Sequence, residues 1–187
     1  MRIISGKFKG HGLISFKAGH IRPTTDRVKE TLFNIVPYEM TDAFVLDLFC
    51  GTGNLGIEAL SRGAKKVYFV DQQLESLKIT RKNLEQLKVP ENSYSIFHQS
   101  TFLFLEKYQE GPFDLILADP PFTEKIAHDV MEATDRSWAF GHDTIMAIES
   151  SSRERIEDKY PTLERYNYRE FGDKILSFFR KRKEERT

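Results

Sequence analysis

From residue 43 onward, short apolar runs alternate with amphipathic segments. Phe44–Leu48 predicts a strand, Leu55–Arg62 a helix and Val67–Val70 a second strand. Leu74, Leu77, Leu84 and Leu87 then mark a longer helix. Tyr94–Phe97 predicts a third strand, Phe102–Tyr108 a short helix and Phe113–Ala118 a fourth strand. Residues 124–134 predict another helix and Thr144–Ile148 a fifth strand. Phe44–Leu48 and Leu115–Ala118 are largely unbroken apolar runs, as strands covered on both faces are. This βαβα alternation predicts an α/β fold: a mostly parallel sheet with helices on both faces. Leu163–Phe171 and Ile175–Arg180 are separated only by Gly172-Asp173-Lys174. That link is too short for a helical crossover, so these two strands should form an antiparallel hairpin at the end of the sheet.

The first 42 residues are organised differently. Residues 1–21 carry short apolar patches punctuated by Gly6, Gly10, Gly12 and Gly19, which predict one or two short hairpins. Arg22-Pro23-Thr24-Thr25-Asp26 reads as a helix start, Val28, Leu32, Ile35 and Val36 form its stripe, and Pro37 stops it.

The chain has 187 residues and 40% hydrophobic residues, which suits one domain with a short appendage. No apolar run approaches the roughly 20 residues of a membrane span, and the first residues lack the apolar core of a secretory signal. The single Cys50 offers neither an intrachain disulfide nor a metal-binding pair, and the histidines lack ligand spacing. A reduced, soluble, cytoplasmic protein without a metal is expected. The 28 basic and 28 acidic residues cancel in number but not in place. Residues 1–25 hold five bases and no acid, residues 180–187 five bases and two acids, leaving 18 bases and 26 acids between them. An acidic body with basic ends is compatible with a polyanionic partner, and equally with ordinary solvated termini.

Gly51, Gly53 and Gly56 satisfy a GxGxxG pattern between the first strand and its helix. Asp71 ends the second strand, where a carboxylate can accept both hydroxyls of a ribose. A nicotinamide dinucleotide and S-adenosylmethionine both meet that description. Asp47, at the end of the first strand, would repel a pyrophosphate and suit the ammonium of a methionine moiety, which favours S-adenosylmethionine.

The fourth strand runs directly into Asp119-Pro120-Pro121-Phe122. Two prolines fix the backbone and remove two N–H donors, so this loop offers acceptors and an aromatic ring. Asp119 Oδ and the Pro120 carbonyl can accept both N–H bonds of an exocyclic amine, and Phe122 can stack on its base. A base within structured nucleic acid would have to be turned out to reach them.

Asp119-Pro120-Pro121-Phe122 resembles the catalytic motif of amino-directed nucleic-acid methyltransferases. A parallel α/β sheet closed by an antiparallel hairpin is likewise their class I arrangement. The segments Arg2–Gly10 and Arg22–Phe33 are similar to the amino-terminal signatures of the RsmD-type 16S ribosomal RNA guanine-N2 methyltransferases, and the resemblance runs through the Gly172 hairpin. It implies a seven-stranded class I fold in residues 22–187, with residues 1–21 as a β extension that helps hold RNA. It further implies methyl transfer from S-adenosylmethionine to a guanine of the small ribosomal subunit. By position, Asp47, Phe49, Gly51, Gly53, Asp71 and Gln72 would hold the cofactor, with Thr24 and Thr25 near its edge. Asp119 to Phe122 would hold the guanine. Many such enzymes bind the adenine amine with an acid after the third strand; here His98-Gln99-Ser100-Thr101 stands in that place, leaving Ser100, Thr101 or a carbonyl for the task.

Lys7, Lys9, His11, Arg22, Arg27 and Lys29 are candidate RNA contacts, although Arg27 could instead pair with Asp26 or Glu30. Cys50 fits a packing role, since methylating an amine needs no thiol nucleophile. His98, His128 and His142 read as surface or loop residues, and Glu149 has no assignable role. A monomer is expected. Three other readings remain at this point: an adenine-N6 methyltransferase, a nicotinamide-dependent oxidoreductase and a noncatalytic RNA-binding module.

Overall fold

The computed structural model describes residues 1–16, 25–36 and 40–183. Seven strands are named in chain order: β1 (Phe44–Leu48), β2 (Lys66–Asp71), β3 (Tyr94–His98), β4 (Phe113–Ala118), β5 (Phe140–Ser151), β6 (Leu163–Phe171) and β7 (Lys174–Lys181). They form one sheet of order β3-β2-β1-β4-β5-β7-β6. The first five pair in parallel, and β7 enters antiparallel between β5 and β6. The order reverses at β1, so β1 and β4 diverge from a topological switch point where such sheets bind ligands.

Five helices cover the two faces: α1 (Asp26–Ile35), α2 (Asn54–Ser61), α3 (Leu74–Gln86), α4 (Thr101–Lys107) and α5 (Ala127–Arg136). Alternate residues of each central strand feed two cores. Val45, Val67, Phe69, Leu115 and Leu117 join α1, α2 and α3, whereas Leu46, Leu48, Val70, Ile116 and Ile148 join α4 and α5. Thr25 caps α1 as its sequence predicts, accepting from the Val28 N–H at 3.4 Å.

Two elements depart from expectation. Strand β5 begins at Phe140, four residues before the predicted start, because a bulge opposite Phe113–Leu115 lets the polar stretch Gly141–Asp143 join it. The predicted hairpins of residues 1–21 reduce, among the described residues, to a single bridge between Arg2 and Gly12. The arm folds back on itself, with Ile3 donating to the His11 carbonyl at 3.0 Å, Gly10 to the Ile3 carbonyl at 2.8 Å and Leu13 to the Met1 carbonyl at 3.0 Å, and it also bonds to α2. Ile4 and Ser5 donate to the Glu58 carboxylate at 2.9 and 3.0 Å, Lys7 to the Ser61 carbonyl at 2.7 Å and Phe8 to Ser61 Oγ at 2.9 Å. Gly6 fits against the Ser61 carbonyl only because it has no Cβ, which would lie 1.8 Å from that oxygen. Ile3, Phe8 and Leu13 are buried in the core beneath α1 and α2.

Candidate active site

The glycine loop follows β1 and is tied down at each turn. Asp71 accepts from the Gly51 N–H at 2.8 Å and from the Gln73 N–H at 2.7 Å. Thr80, from α3, donates its hydroxyl to the Gly51 carbonyl at 2.9 Å. Gly56 lies so close to β1 and β2 that a Cβ would meet the Phe69 ring at 2.3 Å and Asp47 Oδ2 at 2.9 Å. Gly51 is the opposite case. Its φ is +55°, and a Cβ there would find only the Phe49 carbonyl, 4.0 Å away. The loop therefore presents a bare backbone to open space at Gly51, a cradle that a side chain would fill. Phe49 also holds a positive φ of 57°, so the chain reverses sharply on leaving β1.

Asp47 is buried, and its Oδ2 accepts from the Gly56 N–H at 2.8 Å. Burial pushes its carboxyl up to about 8, with Asp119 and Asp71 adding repulsion against the Gly56 bond. The fixed anion expected here is thus a group that holds its proton, because it is buried first of all and because two further acids share its crevice. A cation placed among them would draw the Asp47 proton off. Cys50 is buried beside them and its thiol is pushed well up by the same burial, an inert packing group.

The strand register explains the cluster. Leu48 pairs with Val70 and with Ala118, and Ala118 with Ile148. The next residue along the chain in each case is Asp71, Phe49, Asp119 and Glu149, a row that follows the carboxyl ends of β2, β1 and β4 and crosses β5 near its own. Beyond Asp119, Pro120 is buried and Phe122 half-buried. The Pro121 carbonyl accepts from Glu124 at 3.1 Å, so the loop turns before α5 starts at Ala127.

At the far side of the crevice, Ser100 caps α4, accepting from the Leu103 N–H at 3.2 Å, and Thr101 Oγ1 is buried with no hydrogen-bond partner among the described residues. Gln72 gives its carbonyl to His98 Nε2 at 3.1 Å. Lys7, Lys9 and His11 lie exposed on the arm, fixed by the buried Phe8 between them. Arg22 and Thr24 fall outside the described residues.

Several expected contacts are reassigned. Lys29 is not a phosphate ligand: it is 1% exposed, and its ammonium bonds the Arg2 carbonyl (2.5 Å), Asn54 Oδ1 (3.0 Å) and Glu58 Oε2 (3.3 Å). Asp26 pairs with Arg2, while the Arg27 guanidinium lies 5.9 Å from the Phe171 ring centroid. His128 lies part-buried on α5, its Nδ1 3.1 Å from the Tyr160 hydroxyl. Glu149, left without a role by sequence, is 1% exposed and pairs with Lys174 at 2.9 Å. Neither member signals itself locally, because the hairpin brings them together from 25 residues apart. Among the described residues no group of three or more His, Cys, Asp or Glu side chains could hold a metal ion, and no helix is long and apolar enough to cross a membrane.

Comparison with known proteins agrees with this architecture. The family model described as Conserved hypothetical protein 95 matches residues 1–180. The Haemophilus influenzae protein named Ribosomal RNA small subunit methyltransferase D is 41% identical over 133 residues, 70% of this chain and 68% of its own. The Escherichia coli protein of the same name is 32% identical over 164 residues, 87% of this chain and 79% of its own. The solved structure of HI0767 from Haemophilus influenzae superimposes with a TM-score of 0.82 at 30% identity, covering 97% of this chain and 98% of that one. The fold is that of a class I methyltransferase, and the chain belongs to the Conserved hypothetical protein 95 family together with the ribosomal RNA small subunit methyltransferases D.

Proposed function

We propose that this protein transfers a methyl group from S-adenosylmethionine to the exocyclic N2 of a guanine in small-subunit ribosomal RNA. The observation that carries the reading is the row of Asp71, Asp119 and Glu149 at the switch point, with the proline loop beside the open cradle at Gly51. The residues present fit that cofactor. An acidic crevice suits a cationic molecule and disfavours a pyrophosphate, which argues against a dinucleotide. Asp71 keeps free lone pairs for ribose hydroxyls after accepting two backbone N–H bonds. Asp47 would face the ammonium, with Gly51 and Gly53 against the backbone of the cofactor and Gln72, Ser100, Thr101 and the Thr24–Thr25 edge around it.

When bound, the cofactor supplies an electrophilic methyl carbon on a sulfonium. The chain's own groups do the positioning. Asp119 Oδ and the Pro120 carbonyl accept the two N–H bonds of the amine, turning its lone pair toward that carbon. Phe122 stacks on the flipped base. Asp119 would take up the surplus proton that the amine gives up on accepting the methyl group. Lys7, Lys9, His11, Arg22 and Arg27 would hold RNA phosphates around the crevice.

Labelled S-adenosylmethionine supplied with naked ribosomal RNA, unmethylated small subunits or DNA tests this directly. Digestion should yield N2-methylguanosine from the ribosomal substrates alone. N6-methyladenosine would overturn the choice of base, and absence of transfer to every substrate would overturn the enzymatic reading.

A further inference from the structure

Lys174 opens β7 just past the Gly172 turn and faces two groups at once. Its Nζ lies 2.9 Å from Glu149 Oε2 and 4.5 Å from the centroid of the Phe122 ring. Both charges are removed from water: Glu149 is 1% exposed and Lys174 9%. Glu149 Oε1 is buried and has no hydrogen-bond partner among the described residues. The register that pairs Ala118 with Ile148 sets Glu149 beside Asp119, the residue just past the neighbouring strand, and β5 in turn pairs with β7 through Ser151 and Lys174. The pair therefore stands directly behind the proline loop.

A buried ion pair is weak support for a fold, since desolvation offsets much of the attraction, and an orphaned carboxylate oxygen adds to the cost. What this pair does hold is an aromatic face. A cation over a ring is attracted by its quadrupole, most strongly where water is excluded. Pro120 and Pro121 fix the backbone leading to Phe122 but leave its side-chain torsions free. Resting on the methyl-transfer reading, we propose that Lys174, held by Glu149, is a positioning residue that fixes the Phe122 ring as the platform for the target base. The ammonium covers one face of the ring, and the base stacks on the other. Lys174 touches no reacting atom; it acts through Phe122.

Replacing Lys174 alone would strand a buried carboxylate, so the informative variant is Lys174→Met combined with Glu149→Gln. A loose platform lowers the fraction of bound RNA whose base is seated. Its kcat should fall roughly tenfold, with KM for RNA and Kd for the cofactor within about twofold of wild type. Lys174→Arg, which keeps a cation over the ring, should retain most of the turnover. In a Phe122→Leu background the paired substitution should change kcat by less than about twofold, because the ring it acts through is gone. An equal loss in both backgrounds, or a loss confined to KM or cofactor Kd, would overturn the positioning role. Urea midpoints of the same four proteins read the contact without any substrate. Sub-additive shifts are expected, and strictly additive ones would overturn it. Absence of transfer by the wild-type protein would instead count against the methyl-transfer reading, leaving the urea cycle to decide the contact.

Discussion

At the glycine-loop end of the crevice, polar groups are bonded within the chain: Asp71 to Gly51 and Gln73, Thr80 to the Gly51 carbonyl, Asp47 to Gly56. At the proline-loop end, Phe122 is half-buried on a lysine and Glu149 keeps an orphaned oxygen. The first end is finished before anything binds, and what it offers is shape. The second is braced from behind, and its outer face awaits a flat partner. Rigidity by hydrogen bonding suits a small ligand of fixed form. Rigidity by proline and a cation–π contact suits a base that must swing in from a structured polymer.

The contrast breaks most completely at Asp119. Asp119→Ala should lower kcat/KM roughly 10³-fold, while cofactor Kd moves only a few-fold, as isothermal titration would show. Near-wild-type turnover would remove Asp119 from the reaction. Lys29→Met probes the scaffold beneath the glycine loop. It leaves Glu58 buried without its lysine and should cost about 3–5 kcal/mol by urea unfolding. A cost near zero would mean that Lys29 is not the internal clamp its contacts indicate. Gly51→Ala sharpens the comparison further. The side chain meets only the Phe49 carbonyl, at an ordinary contact distance of 4.0 Å, so stability should drop by only about 1 kcal/mol from the left-handed backbone. Cofactor affinity should nonetheless weaken at least about tenfold as the cradle fills. Unchanged affinity would place the cofactor elsewhere.

The last effect is a slope. Asp47 has a carboxyl raised to about 8 from an ordinary 3.8, so between those values the folded state binds a proton that the unfolded state releases. Its contribution to stability is complete below about pH 4 and is lost as pH rises toward 8. Asp47→Asn keeps an acceptor for Gly56 and removes the titration, so stability should decline less across that window. An unchanged slope would assign the decline to other groups.

Parts of this arrangement are visible in sequence for physical reasons. Strands β1 and β4 lie within the sheet between two cores, so their apolar runs match the observed boundaries residue for residue. The glycine spacing and the proline loop are local motifs, and they stand where sequence places them. Lys29 and Lys174 are different. A lysine on a helix or beside a hairpin turn reads as solvated, and its burial becomes reasonable only when Glu58 or Glu149 arrives from 29 or 25 residues away. The polar start of β5 is hidden likewise, since the bulge that recruits it belongs to the pairing and not to the segment. Pairwise chemistry between distant residues leaves no periodic trace.

Helix α2 begins at the glycine loop and ends at Ser61, whose carbonyl takes the Lys7 N–H against the bare Gly6. The arm thus completes the helix that shapes the crevice. An arm transplanted from a relative would therefore need its own Glu58, Ser61 and Lys29 counterparts to seat, so the interchangeable unit in this lineage is the arm plus α1 and α2.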